Sequence, residues 1–258
     1  MRVTSFGQAL FAAAMLGLGM LSLVYRDFAL QWQPLPASVP GRSVLAVISG
    51  LFLIAAGVGL LTERRARISA LALSAYLLFW VLFKLRVLFA SPTDISRWLG
   101  TCEDLSLALG AWVLYMPLAH RFDYWAPRIL FGLSFLVFGA SHFAYPDFTA
   151  GMIPEWMPAR LWLAYLTGAG HCAAGLGILT LVLPRLAATA EAAMMSSFVL
   201  LVHLPSLWTD PAPFWGPDLR TRITLLLVAM ALSASAWCLA FSLRDRKWGF
   251  RLKAVPAS

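Results

Sequence analysis

Eight runs of mostly apolar residues, separated by short polar stretches, restrict what this chain can fold into more than any other feature. A helix crossing a bilayer needs about 20 predominantly apolar residues. The clearest runs are 6–24, 44–62, 161–184 and 223–243. The run 129–145 is somewhat short, and 68–90 is apolar until Lys84 and Arg86. The run 99–119 carries Glu103 and Asp104 near its start, and 186–208 contains Glu191 and His203. Only 12% of the residues are charged, against about 25% in a soluble domain, so a polar shell around a soluble core is excluded. The runs also lack the two-residue alternation of a membrane barrel. The reading is an all-α, polytopic membrane helix bundle of about eight transmembrane helices. The first run has a weak positive flank and no small-residue cleavage site behind it, so we read it as a retained helix.

Charge placement predicts topology. Arg64, Arg65 and Arg67 cluster in one short loop, and Arg244, Arg246, Lys247, Arg251 and Lys253 crowd the C-terminus. Positive residues concentrate on the cytoplasmic side, which puts both termini in the cytoplasm. The net charge of +8 is spread between apolar runs rather than along one face. That distribution argues against nucleic acid and for contact of the tail with anionic headgroups. The lipid bilayer is the expected partner.

The chain also repeats itself. Leu10, Phe11, Leu16, Gly19, Tyr25, Asp27, Phe28 and Pro34 match Leu130, Phe131, Leu136, Gly139, Tyr145, Asp147, Phe148 and Pro154, 120 residues on. At a spacing of 118, Pro40, Arg42, Gly50, Gly57 and Gly59 match Pro158, Arg160, Gly168, Gly175 and Gly177. This predicts two four-helix repeats, residues 1–120 and 121–243, followed by a basic cytoplasmic tail, 244–258. Four helices is an even number, so both copies enter the membrane from the same side. Parallel repeats of this kind occur in some transporters, and duplication of a homodimerising four-helix protein produces them equally well. The glycines of the second helix in each unit read as packing positions.

The stretch Phe138–Leu179 holds Pro154-Glu155-Trp156-Met157-Pro158 followed by Gly168, Gly175 and Leu179, and the third helix of that unit ends Val202-His203-Leu204. These motifs resemble the DoxX and DoxX-like membrane proteins, closely over 127–242 and more loosely over 6–119. Where the family carries a glutamate on the second helix, this chain has His171 in one half and Leu53 in the other. Late in the first helix it has His142 and Ser22. The resemblance implies a bacterial inner-membrane subunit linked to redox chemistry, with quinone as the ligand class and other membrane redox subunits as partners.

Ionisable residues within membrane spans are costly and face the bundle interior. His142, His171 and His203 therefore define a candidate ligand site in the second half, together with Tyr145 and the loop residues Pro154, Trp156 and Pro158. Neutral imidazoles would hydrogen-bond a quinone headgroup, or hold a haem or a metal. No close His/Cys spacing supports a metal, and the depth of His171 relative to the other two weighs against a compact metal centre. The plainer alternative is that each histidine bonds a neighbouring helix. Glu103 and Asp104 read as interfacial acids at a helix start, within reach of Lys84 and Arg86. Glu191 reads as an acid about one turn inside the cytoplasmic face, near Arg185. Glu103 and Glu191 are the candidates for a polar or proton-handling role. His120 reads as a solvated residue at a helix end.

Cys102, Cys172 and Cys238 show no CxxC pairing and read as buried apolar residues. No hydrolase, phosphate-loop, zinc-protease or dinucleotide motif occurs. A small-solute or lipid transporter and a non-catalytic scaffold therefore stand beside the quinone-linked subunit, and whether the protein is an enzyme is left open by the residues.

Overall fold

In the computed structural model, the residues described are 5–118, 124–208 and 218–245. His120, the end of the basic tail and part of the loop before the last helix lie outside them. Among the described residues the chain is all-helical. The helices are α1 (Phe6–Tyr25), α2 (Arg42–Leu60), α3 (Ala66–Ala90), α4 (Ile95–Leu118), α5 (Trp125–Ala144), the short α6 (Pro146–Met152), α7 (Arg160–Thr180), α8 (Pro184–Phe198) and α9 (Leu219–Ser242). Seven helical segments are long and apolar enough to cross a membrane. Helix α4 equals them in length but carries Arg97, Glu103 and Asp104 and is not one of the seven. The protein is an integral membrane protein by this measure.

The helices form a chain of neighbours: α1 against α2, α2 against α3, α3 against α4, α4 against α5, α5 against α7, α7 against α8, α8 against α9, and α9 back against α1. Helices α4 and α9 also touch across the middle. Helix α9 is the most enclosed span. Its inner run of Ala231, Ser233, Ala234, Ser235, Ala236 and Cys238 is buried, because small side chains let three neighbouring helices approach one backbone. Gly110 on α4 faces Ser235 there, with no room for a Cβ.

The α1–α2 and α5–α7 interfaces are built alike. A Cβ on Gly19 would stand 2.7 Å from the Gly50 carbonyl, and one on Gly139 would stand 2.6 Å from the Gly168 carbonyl. Gly57 abuts Leu16 and the Ala12 carbonyl, as Gly175 abuts Leu136 and the Gly132 carbonyl. Gln8 Nε2 donates to the Leu60 carbonyl at 2.6 Å, and Arg128 Nη1 donates to the Ile178 carbonyl at 2.5 Å. Each bond satisfies a carbonyl left over at a helix C-terminus. Helices α2 and α7 both start from a left-handed residue, Gly41 at φ 69° and Ala159 at φ 53°.

Two local departures from a plain reading of the spans have clear causes. The run 186–208 is not one α-helix. After Phe198 it widens into a π-helical segment, Val199–His203, with the Leu204 N–H reaching the Val199 carbonyl at 2.8 Å. It then narrows at Pro205–Leu207, because Pro205 has no N–H to continue the ladder. Helix α4 begins at Ile95, so Glu103 and Asp104 lie about two turns inside it rather than at its start.

Two predictions test this frame. Gly168→Ala places a methyl group 2.7 Å from His142 Cβ, and overpacking of this kind costs about 1–3 kcal/mol. Gly100→Ala meets only Lys84 Nζ at 3.7 Å. In detergent, thermal unfolding should be lowered clearly by the first change and little by the second. At the start of α9, Asp218 caps the Thr221 N–H at 2.8 Å. The Thr221 hydroxyl, then the Thr221 N–H, hold its carboxyl below the ordinary range. The cap's contribution is therefore present above the ordinary aspartate pKa and fades as pH falls through the lowered one. Asp218→Ala should cost about 1 kcal/mol near neutral pH and progressively less in acid unfolding measurements.

Candidate functional site

The candidate site is assembled from α5, α7 and α8. The glycine contact between α5 and α7 sets His142 against Gly168, and the next turn of α7 carries His171. The two imidazole centroids are 5.1 Å apart and meet edge to face at 77°. On the far side of His171, Glu191 of α8 completes the group, with Oε1 2.7 Å from His171 Nδ1. His171 is 2% exposed and Glu191 1%. Phe138 and Phe198 close over the His171 ring at 5.8 Å each, and Phe198 also stacks near His142.

Hydrogen bonding orients both rings. His142 Nδ1 lies 3.0 Å from Thr167 Oγ1 and 3.1 Å from the Ala164 carbonyl. A carbonyl only accepts, so Nδ1 carries the proton, and in the neutral ring Nε2 is the acceptor. His171 Nδ1 in the same way serves Glu191. The second carboxylate oxygen, Glu191 Oε2, is buried with no hydrogen-bond partner among the described residues. A buried, half-satisfied carboxyl group is costly.

The remaining predicted residues do not all join this group. His203 sits half-buried at the end of the π-helical segment, where its carbonyl accepts from Ser206 Oγ at 2.6 Å. Tyr145 caps α5, and its hydroxyl lies 3.5 Å from Asp94 Oδ1 at the start of α4. The Ser96 hydroxyl foremost holds the Asp94 carboxyl below its ordinary value. Pro154 is half-buried, Pro158 is exposed, and Trp156 is 63% exposed, consistent with an interfacial loop. Glu191, expected about one turn inside the membrane face near Arg185, lies in the interior against His171.

Glu103 accepts from Trp32 Nε1 at 2.8 Å, which ties the loop between α1 and α2 to α4. Asp104 is buried and paired with Lys84 Nζ at 2.6 Å. In the first half a separate polar group occupies the interior: Gln33 Nε2 donates to the Tyr76 hydroxyl at 2.7 Å, and Ser49 Oγ lies 2.5 Å from the same oxygen. Sequence reasoning named none of Gln33, Tyr76 and Thr167. Among the described residues, no three His, Cys, Asp or Glu side chains form a set that would hold a metal ion.

A signal for the His171–Glu191 contact was present in the internal repeat. At the 118-residue spacing, His171 corresponds to Leu53 and Glu191 to Leu73. Both leucines are buried in the main core. The two polar residues replace an apolar pair together, as contacting partners would.

Comparison with known proteins adds one finding. Residues 131–240 match a family model described as a domain of unknown function, DUF8561, a stretch containing His142, His171 and Glu191. No curated protein and no solved structure matches the chain.

The packing makes a quantitative prediction. Removing one partner of a buried hydrogen-bonded pair leaves the other unsatisfied at a cost of about 1–3 kcal/mol, whereas replacing both by apolar residues of similar shape is nearly neutral. His171→Leu and Glu191→Leu should each lower stability strongly. The double variant, which copies Leu53 and Leu73, should recover most of the loss in a denaturation cycle. Additive losses would refute the coupling.

Proposed function

We propose that the protein is a DoxX-like subunit of a bacterial inner membrane, with both termini cytoplasmic. In this reading it has eight spanning helices arranged as two parallel four-helix repeats, the second of which binds a quinone-type lipophilic ligand beside His142, His171 and Glu191. The matched contacts of the α1–α2 and α5–α7 interfaces support the repeat. The pairing of α1 with α9 and of α5 with α4 supports an approximate two-fold axis near the α4–α9 contact. On this reading α4 is the eighth span, its acids tolerated because Lys84 and Trp32 answer them.

The observation that carries the functional reading is the buried His171–Glu191 pair. The first half has the same fold positions filled by leucine, so the fold does not require ionisable residues there. Ionisable groups retained in a membrane interior mark functional sites. The chemistry of the donors suits a quinol: neutral Nε2 atoms of His142 and His171 accept from a hydroxyl, and an imidazolium donates to a carbonyl. Bound there, the quinone couple would supply two-electron, two-proton chemistry to a partner redox subunit. His171 and Glu191 would hold one proton between Nδ1 and Oε1. The ring contact at 5.1 Å leaves no space for a macrocycle between the histidines, so haem fits poorly.

The test is mass spectrometry of lipids extracted from the purified protein. Wild type should carry a quinone at near-stoichiometric occupancy. The His171→Leu/Glu191→Leu double variant, folded by circular dichroism, should lose at least about tenfold, the equivalent of 1.4 kcal/mol in binding. Equal occupancy in both would defeat the proposal. Absence of quinone together with substrate flux in liposomes would make the transporter reading the correct one.

A further inference from the structure

An open groove of about 400 Å³ lies between α6 and the start of α7, with Asp147 on one side and Arg160, Leu161 and Trp162 on the other. Its counterpart in the first half is occupied by the protein itself. Asp27, which matches Asp147, is ion-paired with Arg42 and with Arg220 of α9, the latter at 3.0 Å. Arg220 also donates to the Phe28 carbonyl at 2.8 Å. In the second half, Arg160 matches Arg42. Yet among the described residues neither Asp147 nor Arg160 has a side-chain hydrogen bond or an ion pair. The corresponding end of α4 supplies no cation either, since Arg97 is spent on Asp94 and the Val87 carbonyl.

The first half thus shows what the groove lacks: a cation on the aspartate. A helix dipole accounts for an acid in the first turn of α6, but not for an unmatched guanidinium across the same groove. A carboxylate and a guanidinium facing one space complement a ligand bearing both charges. Guanidinium groups bind phosphate through paired hydrogen bonds, and a primary ammonium offers three donors to a carboxylate.

We propose that this groove binds a phosphate joined to a primary ammonium, as in an ethanolamine phospholipid headgroup or free phosphoethanolamine. The phosphate lies on Arg160, and the ammonium lies on Asp147, where Arg220 stands in the other half. The surroundings favour the lipid as the source. Trp162 is 75% exposed and Leu166, one turn on, is 67% exposed. Residues four apart share a helix face, so an apolar stripe runs from the groove down α7 for the acyl chains. The inference does not depend on the quinone reading, because no residue of the histidine group takes part.

Native mass spectrometry of the full-length protein in detergent tests it, with dioleoyl phosphatidylethanolamine, phosphatidylglycerol and phosphatidylcholine as probes. Wild type should retain the ethanolamine lipid about tenfold over either of the others, a difference of about 1.4 kcal/mol. Asp147→Asn should abolish that preference, and Arg160→Gln should weaken all three lipids. Competition by free phosphoethanolamine would identify the headgroup alone as the ligand, whereas its failure to compete would assign the site to the whole lipid. Equal retention of the three lipids by wild type would overturn the proposal whatever the variants do. Unchanged selectivity in folded Asp147→Asn would overturn it as well.

Discussion

Backbone contact between glycines holds the first two helices of each half together, at Gly19 with Gly50 and at Gly139 with Gly168. Lipid tails are as apolar as leucine, so no hydrophobic force drives two spanning helices into each other. What remains is dispersion and polar contact at short range, and both grow only when backbones approach closely. The same approach carries Gln8 and Arg128 to the C-terminal carbonyls of the neighbouring helices. In the second half it also brings His142 to within ring contact of His171. The chemistry of the candidate site is thus a consequence of helix packing.

Each half uses a similar frame to enclose a different polar interior. Near the α1–α2 contact, Gln33, Tyr76 and Ser49 form a neutral hydrogen-bonded group. Near the α5–α7 contact, Thr167, which corresponds to Ser49, orients His142, and His171 and Glu191 extend the group to α8. Neutral hydroxyls and amides can satisfy one another in a membrane interior at modest cost. An imidazole and a carboxylate cannot lose their water without an electrostatic penalty that pairing offsets only in part. That penalty falls on the His171–Glu191 pair in the second half and on the Lys84–Asp104 pair in the first.

The loops that follow α1 and α5 differ for a related reason. In the first half an internal triad of Asp27, Arg42 and Arg220 joins the loop after α1 to α9, and Trp32 joins the same loop to α4 through Glu103. In the second half the equivalent loop, through α6, leaves Asp147 and Arg160 facing an open groove. The first is closed by the protein's own charges. The other leaves Asp147 and Arg160 without an ion pair among the described residues.

Much of the frame was legible in the chain itself. Long apolar runs require spanning helices, because backbone groups in lipid must bond within their own segment, and the repeated Gly, Pro, Asp and Arg positions located the helix contacts. Among the histidines, His171 was legible as an interior residue for the same reason of cost. Its partner was not. Glu191 is 20 residues from His171, and helix position alone leaves its direction undecided by the rotation of α8 about its axis. Only the packing of α8 against α7 and α9 turned it inward to His171, and only the left-over space at Asp147 and Arg160 distinguished that pair from the closed one at Asp27 and Arg42. The sequence by itself determined a membrane bundle with a repeated helix-pairing pattern, because length, apolarity and glycine spacing act locally. The tertiary structure decided which polar groups meet, because that depends on the relative rotation of helices far apart in the chain.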